Sequence, residues 1–126
     1  MTGRQWGEAA RIRLEAATVL VEEGFPSDAV TRTYYAVFSA AKALLRSQGL
    51  KAKTHRGTNT LLHKHFRDAV DAELFRSLQE EREDCDYRLL KPSESKARRR
   101  IRQARSFVET VEDIRGSDEN GSGSAE

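Results

Sequence analysis

The chain has 126 residues and a formal net charge of +2, with 33% charged and 7% aromatic residues, so it has room for one domain with a modest core but not for two. The single cysteine, Cys85, excludes an internal disulfide, and there is neither a long apolar run nor a signal-peptide pattern. We therefore expect a cytoplasmic protein, built as a helical bundle with solvated outer faces, that makes no contact with a membrane.

The first helix is predicted over residues 5–23, where apolar residues recur at intervals of three and four. These residues define the face expected to enter the core: Ala9, Ile12, Ala16, Val19 and Leu20. Gly24 then ends the helix, and Phe25 and Pro26 belong to a turn.

The second helix is predicted to begin with Ser27 or Asp28 as its N-cap and to end before Gly49. Its main stripe is apolar and has helical spacing: Val30, Tyr34, Val37, Phe38, Ala41, Leu44 and Leu45. Arg32 and Tyr35 share a second, more polar face. Two faces on one helix predict two contacts, one with the bundle and one with a ligand or a second subunit.

Three more helices follow in the pattern. A basic connection over residues 50–56 leads to a short helix that carries Leu61 to Phe66. A fourth helix is predicted over 71–87, and Ser93 caps a last helix over 94–115.

The predicted fold class is all-α, an up-and-down bundle of four longer helices plus one short helix. Residues 1–115 form the bundle domain. Residues 116–126 are glycines, serines and acidic residues with almost no aliphatic side chain, which predicts a disordered tail because too little surface can be buried to order it.

Charges are segregated along the chain. Residues 41–67 are basic with no acidic residue, 68–86 are predominantly acidic, and 91–105 are basic again. Basic blocks can follow a phosphate backbone, which makes RNA a candidate partner. They can equally pair with the acidic block inside the fold or in a dimer. The charge pattern leaves both interpretations open.

Arg82 occupies a place where a leucine is expected. Leu74, Phe75 and Leu78 form the apolar stripe of the fourth helix, and Arg82 is the next position on it. A guanidinium at a helix seam is costly to desolvate unless it is paired. One hypothesis is that Arg82 pairs with Asp86, four residues on, or with a neighbouring helix; the other is a role in an active site.

Few residues in this chain are of catalytic type. There is no glycine-rich phosphate loop, no nucleophilic Ser/His/Asp order and no zinc-ligand spacing, so neither a metal nor a cofactor is expected. The remaining candidates are arginines, tyrosines and one histidine: Arg32, Tyr34, Tyr35, His55, Arg82 and Tyr87. Tyr34 lies on the main stripe and is assigned to the core.

This set suits cleavage of RNA without a metal, because RNA supplies its own nucleophile in the 2′-hydroxyl. The protein then needs a base or orienting group and a cation for the charge of the phosphorane. Arg82 is the candidate cation, Tyr87 a hydrogen-bonding orienter, and His55 either a base or a helix cap. Arg32, Tyr35 and Asp86 are candidate binding residues.

Three blocks of the sequence form a recognisable set: AVTRTYYAVFSAAKALL at residues 29–45, THRG at 54–57 and REDCDY at 82–87. Together they resemble the small prokaryotic HEPN-domain proteins. The resemblance implies a bundle of four or five helices that pairs as a symmetric homodimer. It also implies a toxin whose antitoxin is a minimal nucleotidyltransferase, and in many members a metal-independent endoribonuclease site at the dimer interface.

The hallmark of that family is an arginine followed after four to six residues by a histidine. Arg82 matches the arginine, but Tyr87 follows where the histidine is expected, and no histidine occurs after Arg82. In some relatives a tyrosine at this place receives AMP from the partner transferase, a role that would fall to Tyr87. The alternative hypothesis is a non-catalytic partner of a nucleotidyltransferase, directed at a nucleotide or a protein, in which Arg82 and Asp86 are structural.

Overall fold

The computed structural model describes residues 1–122, with side chains to residue 116. It contains five helices: α1 Gly3–Glu22, α2 Pro26–Ser47, α3 His55–Phe66, α4 Ala72–Tyr87 and α5 Glu94–Ser122. The all-α prediction is confirmed, since the described residues include no strand. No helix in this part of the chain is long and apolar enough to cross a membrane.

Helix α2 lies at the centre of the bundle and packs against each of the other four helices. Its alanines at positions 36, 40, 41 and 43 are all buried, and their small side chains let α1 and α5 approach closely. The apolar stripe predicted for this helix is buried with them, apart from the half-buried Phe38. The central helix therefore carries the core and, as shown below, the residues of the candidate site.

The face predicted for α1 is wrong. Ile12 is 68% exposed and Val19 is 52% exposed, whereas the buried residues are Ala10, Leu14, Ala17 and Val21. Two apolar stripes compete on this helix, and each contains two alanines and branched side chains. Composition alone therefore does not decide between them, and the choice depends on how α1 packs against the other helices.

The N-cap predicted for α2 is also wrong. The helix begins at Pro26, and its N-cap residue Phe25 makes no side-chain capping bond. Proline suits the first position because its missing N–H would have no partner there. The predicted stop at Gly49 is confirmed: its φ of +73° lies in the left-handed region that glycine adopts without strain.

The remaining helix starts follow side-chain caps. Ser93 accepts the Lys96 N–H at 3.1 Å, as the sequence predicted, and Asp71, which was predicted as the start of α4, is its N-cap and accepts the Leu74 N–H at 3.1 Å. Helix α3 begins earlier than predicted, at His55, because Thr54 accepts the Gly57 N–H at 2.8 Å.

Helix α5 extends beyond its predicted end near residue 115 and reaches Ser122. No proline interrupts it, and a helix that is already formed adds residues at little cost. The predicted tail begins within this extension, and residues 123–126 lie outside the described residues. The division into a bundle domain and a tail stays a prediction.

Candidate functional site

Arg82 lies on α4 with its side chain only 15% exposed. Its Nη1 donates to Asp86 Oδ2 at 3.3 Å, and Nη2 lies 4.0 Å from Glu83 Oε1. The pairing with Asp86, proposed from the sequence, is therefore present. Asp86 itself is exposed and also accepts the Thr31 hydroxyl at 3.5 Å, so water competes for this ion pair and weakens it.

Two tyrosines of α2 hold the guanidinium of Arg82. Its central carbon lies 5.1 Å from the ring centroid of Tyr34 and 5.8 Å from that of Tyr35, which are cation–π distances. The Nε atom of Arg82 is buried and has no hydrogen-bond partner among the described residues. The aromatic contacts explain how a cation is accommodated at a position of apolar spacing.

Tyr34 connects Arg82 to His55. Tyr34 is fully buried, and its hydroxyl forms a hydrogen bond with Nδ1 of His55. Burial raises the pKa of Tyr34, so the phenol stays protonated. Because this hydroxyl has no other acceptor in the described part of the chain, we assign it as the donor. The neutral imidazole of His55 then carries its proton on Nε2.

His55 is the first residue of α3, and its ring stacks on Phe38 with a centroid distance of 4.1 Å and an angle of 8° between the rings. Burial lowers the pKa of His55, and the positive charges of Arg82 and Lys42 lower it further. The imidazole is therefore neutral at pH 7. The two cations come from different helices, Lys42 from α2 and Arg82 from α4, and together they make the surroundings of the imidazole electropositive.

Lys42 is the second of those cations, and it was not among the predicted site residues. Its Nζ donates to the Ala52 carbonyl at 2.5 Å and lies 5.6 Å from the ring centroid of Trp6. Burial lowers the pKa of Lys42, and Arg46 lowers it further. The described residues provide no carboxylate partner for this ammonium group.

The Arg–His cluster, as we call it, consists of Tyr34, Lys42, His55 and Arg82. Sequence reasoning found Arg82 and His55 but assigned Tyr34 to the core and overlooked Lys42. One signal was present: Tyr34, Phe38 and Lys42 are spaced at intervals of four along α2 and so share a face. That face meets α3 and α4 at the cluster.

The other predicted site residues lie at different distances from this cluster. Tyr35 is half-buried, and its ring centroid lies 5.1 Å from that of Tyr34 in an edge-type contact. The guanidinium carbon of the exposed Arg32 lies 5.9 Å from the ring centroid of Tyr35. Both therefore border the cluster. Tyr87 does not join it: this residue is 77% exposed at the end of α4.

The arrangement can bind an anion and supply hydrogen-bond donors to it. Arg82 offers a partly neutralised guanidinium, and His55 offers Nε2, the ring nitrogen that Tyr34 leaves free. Within residues 1–116, no group of three or more His, Cys, Asp and Glu side chains is placed to hold a metal ion. The chemistry open to the described residues is electrostatic stabilisation and proton transfer.

Comparison with known proteins agrees with this fold. The family model described as the HEPN domain matches residues 4–114. A protein of Methanocaldococcus jannaschii named as a "putative toxin" is 33% identical over 109 residues, which cover 82% of this chain and 81% of that protein. A UPF0332 protein of Thermotoga maritima is 30% identical over 115 residues, covering 86% of this chain and 87% of its own length.

Proposed function

Since this chain belongs to the HEPN domain family, we propose that it is a toxin that cleaves RNA without a metal ion, at the Arg–His cluster, and that a nucleotidyltransferase serves as its antitoxin. The toxin assignment draws on the names of its relatives in Methanocaldococcus jannaschii. Since the proposed substrate is RNA, we place the proposed activity in the cytoplasm. The proposed active unit is a homodimer.

One observation carries the proposal: Arg82 and His55 meet at the same buried tyrosine although they lie on different helices. HEPN-type chemistry calls for an arginine and a histidine, and no histidine follows Arg82 in this sequence. His55 supplies an imidazole from α3 instead. The electropositive surroundings of His55 favour a phosphodiester as the group bound there.

In the proposed reaction the 2′-oxygen attacks the adjacent phosphorus and the 5′-oxygen leaves, giving a 2′,3′-cyclic phosphate and a 5′-hydroxyl end. The 2′-hydroxyl proton goes to water, and the leaving oxygen takes a proton from water. Arg82 and the Nε2–H of His55 donate to the phosphorane oxygens, where negative charge accumulates.

A role for His55 as the base at Nε2 would require the other tautomer. Nδ1 would then donate to Tyr34, and the tyrosine hydroxyl hydrogen would lose its acceptor. Leaving a buried donor unpaired costs about 1–3 kcal/mol. The dyad with Tyr34 therefore favours His55 as a hydrogen-bond donor to the phosphate.

The end of α4 is the proposed dimer interface. Leu89 is 78% exposed with a φ of +55°, which is strained for a leucine, and Tyr87 and Leu90 beside it are also exposed. The backbone at Leu89 turns the chain so that the Leu90 N–H donates to the Asp84 carbonyl at 3.2 Å, but the exposed side chain of Leu89 buries little apolar surface within one chain. A second copy packed here would bury these three side chains close to Asp86, the partner of Arg82.

Incubation of the purified protein with RNA in excess chelator tests the function. We expect cleavage by the wild type and by Arg76→Ala, and a loss of about 10²–10³-fold in rate for Arg82→Ala. Arg76 is the matched control because it lies on the same helix and pairs only with exposed carboxylates. Equal cleavage by all three proteins, or none by the wild type, would overturn the proposal.

A second candidate function is a non-catalytic partner of a nucleotidyltransferase. It is favoured by the contacts of Arg82 with Asp86 and Glu83, which suit a structural role. It predicts that Arg82→Ala lowers the melting temperature and that neither protein cleaves RNA. Cleavage lost in Arg82→Ala at an unchanged melting temperature would rule this function out.

A further inference from the structure

The basic residues of α5 divide into two groups with different surroundings. Arg100 and Lys96 both contact Glu81 of α4, with Arg100 Nε 2.9 Å from Oε2 and Lys96 Nζ 3.2 Å from Oε1. Arg98 pairs with Glu94 one turn earlier at 2.9 Å. Arg100 and Lys96 thus share one carboxylate of the acidic block, as one of the two interpretations of the charge pattern proposed, whereas Arg98 pairs locally on the surface of α5.

The second group is not neutralised. Arg99, Arg102 and Arg105 are exposed, and no carboxylate among the described residues pairs with them. The guanidinium of Arg105 donates to the Thr18 hydroxyl of α1 at 3.4 Å. Successive members are three residues apart, so neighbouring arginines of the row are close together while the row turns by about 60° per step around the helix. We call these three residues the arginine row.

A row of this kind does not stabilise the isolated chain, because like charges three residues apart repel one another. Beside it runs a groove of about 160 Å³ whose floor includes Val21 and Ile101. Both floor residues are buried, so the groove exposes too little apolar area to form the centre of a protein interface, and its unpaired charges are Arg102 and Arg105. A protein partner needs an apolar centre to its interface, whereas a phosphate backbone needs only regularly spaced cations.

We propose that the arginine row binds the phosphodiester backbone of a single-stranded RNA, away from the Arg–His cluster. This inference rests on the proposed function for its choice of RNA. Each arginine contacts a phosphate without reading a base, since the groove has no aromatic side chain on which a base could stack. The row anchors the substrate, and the cluster carries out the chemistry.

The test measures binding of a labelled 2′-O-methyl RNA, which lacks the nucleophile and cannot be cleaved, as a function of salt. The variant Arg102→Gln/Arg105→Gln is compared with Arg4→Gln/Arg76→Gln, which removes the same charge from two exposed, paired arginines. The measured quantity is the slope of the logarithm of the binding constant against the logarithm of the salt concentration, which is negative. We expect the first variant to make this slope shallower by roughly 1.4, because each lost phosphate contact removes about 0.7. The control should keep the wild-type slope.

An unchanged slope and affinity in Arg102→Gln/Arg105→Gln would overturn the proposal that the arginine row binds RNA. This holds even if the wild type cleaves RNA and Arg82→Ala does not. Equally tight binding of a poly-glutamate peptide that depends on the same two arginines would also overturn it, in favour of an acidic protein. If the slope falls as expected but the wild type never cleaves RNA, the row stands and the proposed function fails.

Discussion

Arg82 and His55 reach Tyr34 from different helices, and each contact changes the chemistry of the other residue. Tyr34 accommodates the guanidinium on its ring and donates its hydroxyl hydrogen to the imidazole. The positive charge of Arg82 in turn helps to keep His55 neutral. At the scale of single residues, the site is therefore one coupled unit, and removing one member should be measurable at another.

We expect the pKa of His55, measured by NMR titration of its imidazole, to lie below the ordinary value of about 6.5. Arg82→Ala should move that pKa upward, because a cation that opposes protonation is removed, although burial will still hold it down. Arg76→Ala should leave it where it is. A His55 pKa that does not respond to Arg82→Ala would show that the two groups are not electrostatically coupled.

The lowered pKa of His55 also makes the stability of the protein depend on pH, because the folded and unfolded states bind different numbers of protons. A histidine with a lowered folded-state pKa binds fewer protons folded than unfolded between that pKa and about 6.5, so stability falls as the pH decreases through this window. The wild type should therefore lose stability there, and His55→Gln should lose less. His55→Gln is a matched comparison because it shares all other titrating groups with the wild type.

At the scale of helices, local chemistry made the ends predictable but not the packing faces. Asp71, Ser93 and Gly49 act through bonds and backbone angles within a few residues, so a sequence pattern identifies them. The buried face of α1 was misassigned because its choice depends on how α1 packs against the other helices. The bond between Tyr34 and His55 joins two helices and has no local signal.

The cap of α3 positions His55, and its loss should be measurable as a loss of stability. Thr54→Ala removes the acceptor of the Gly57 N–H and should cost about 0.5–2 kcal/mol in urea unfolding. The control is Thr60→Ala, since the Thr60 hydroxyl only bonds the Arg56 carbonyl within the helix and alanine has the higher helix propensity. Equal costs for both variants would contradict the capping role.

At the scale of the whole molecule, two exposed apolar surfaces compete as the place where a second copy binds. One is the end of α4 with Tyr87, Leu89 and Leu90, and the other is the outer face of α1 with Ile12 and Val19. The end of α4 is adjacent in sequence to Asp86 and carries the strained Leu89. A dimer formed there would bring the two proposed active sites together.

Light scattering after gel filtration separates the two surfaces. Leu89→Asp should convert the dimer to a monomer, and the fold should be retained because aspartate adopts the left-handed conformation more readily than leucine. Ile12→Asp should remain a dimer. The opposite result would assign the interface to α1, and a monomeric wild type would contradict the proposed assembly.

The most direct test of the central claim, that Arg82 and His55 act together on one phosphate, is the rate of RNA cleavage in chelator by His55→Gln and His55→Ala. Glutamine places an N–H donor near the position of the imidazole Nε2 but cannot act as a base at neutral pH. The account predicts that His55→Gln stays within about tenfold of the wild type, whereas His55→Ala loses about 10²–10³-fold, as Arg82→Ala does. Wild-type cleavage by His55→Ala would contradict the claim, and a His55→Gln variant as inactive as His55→Ala would contradict the donor role.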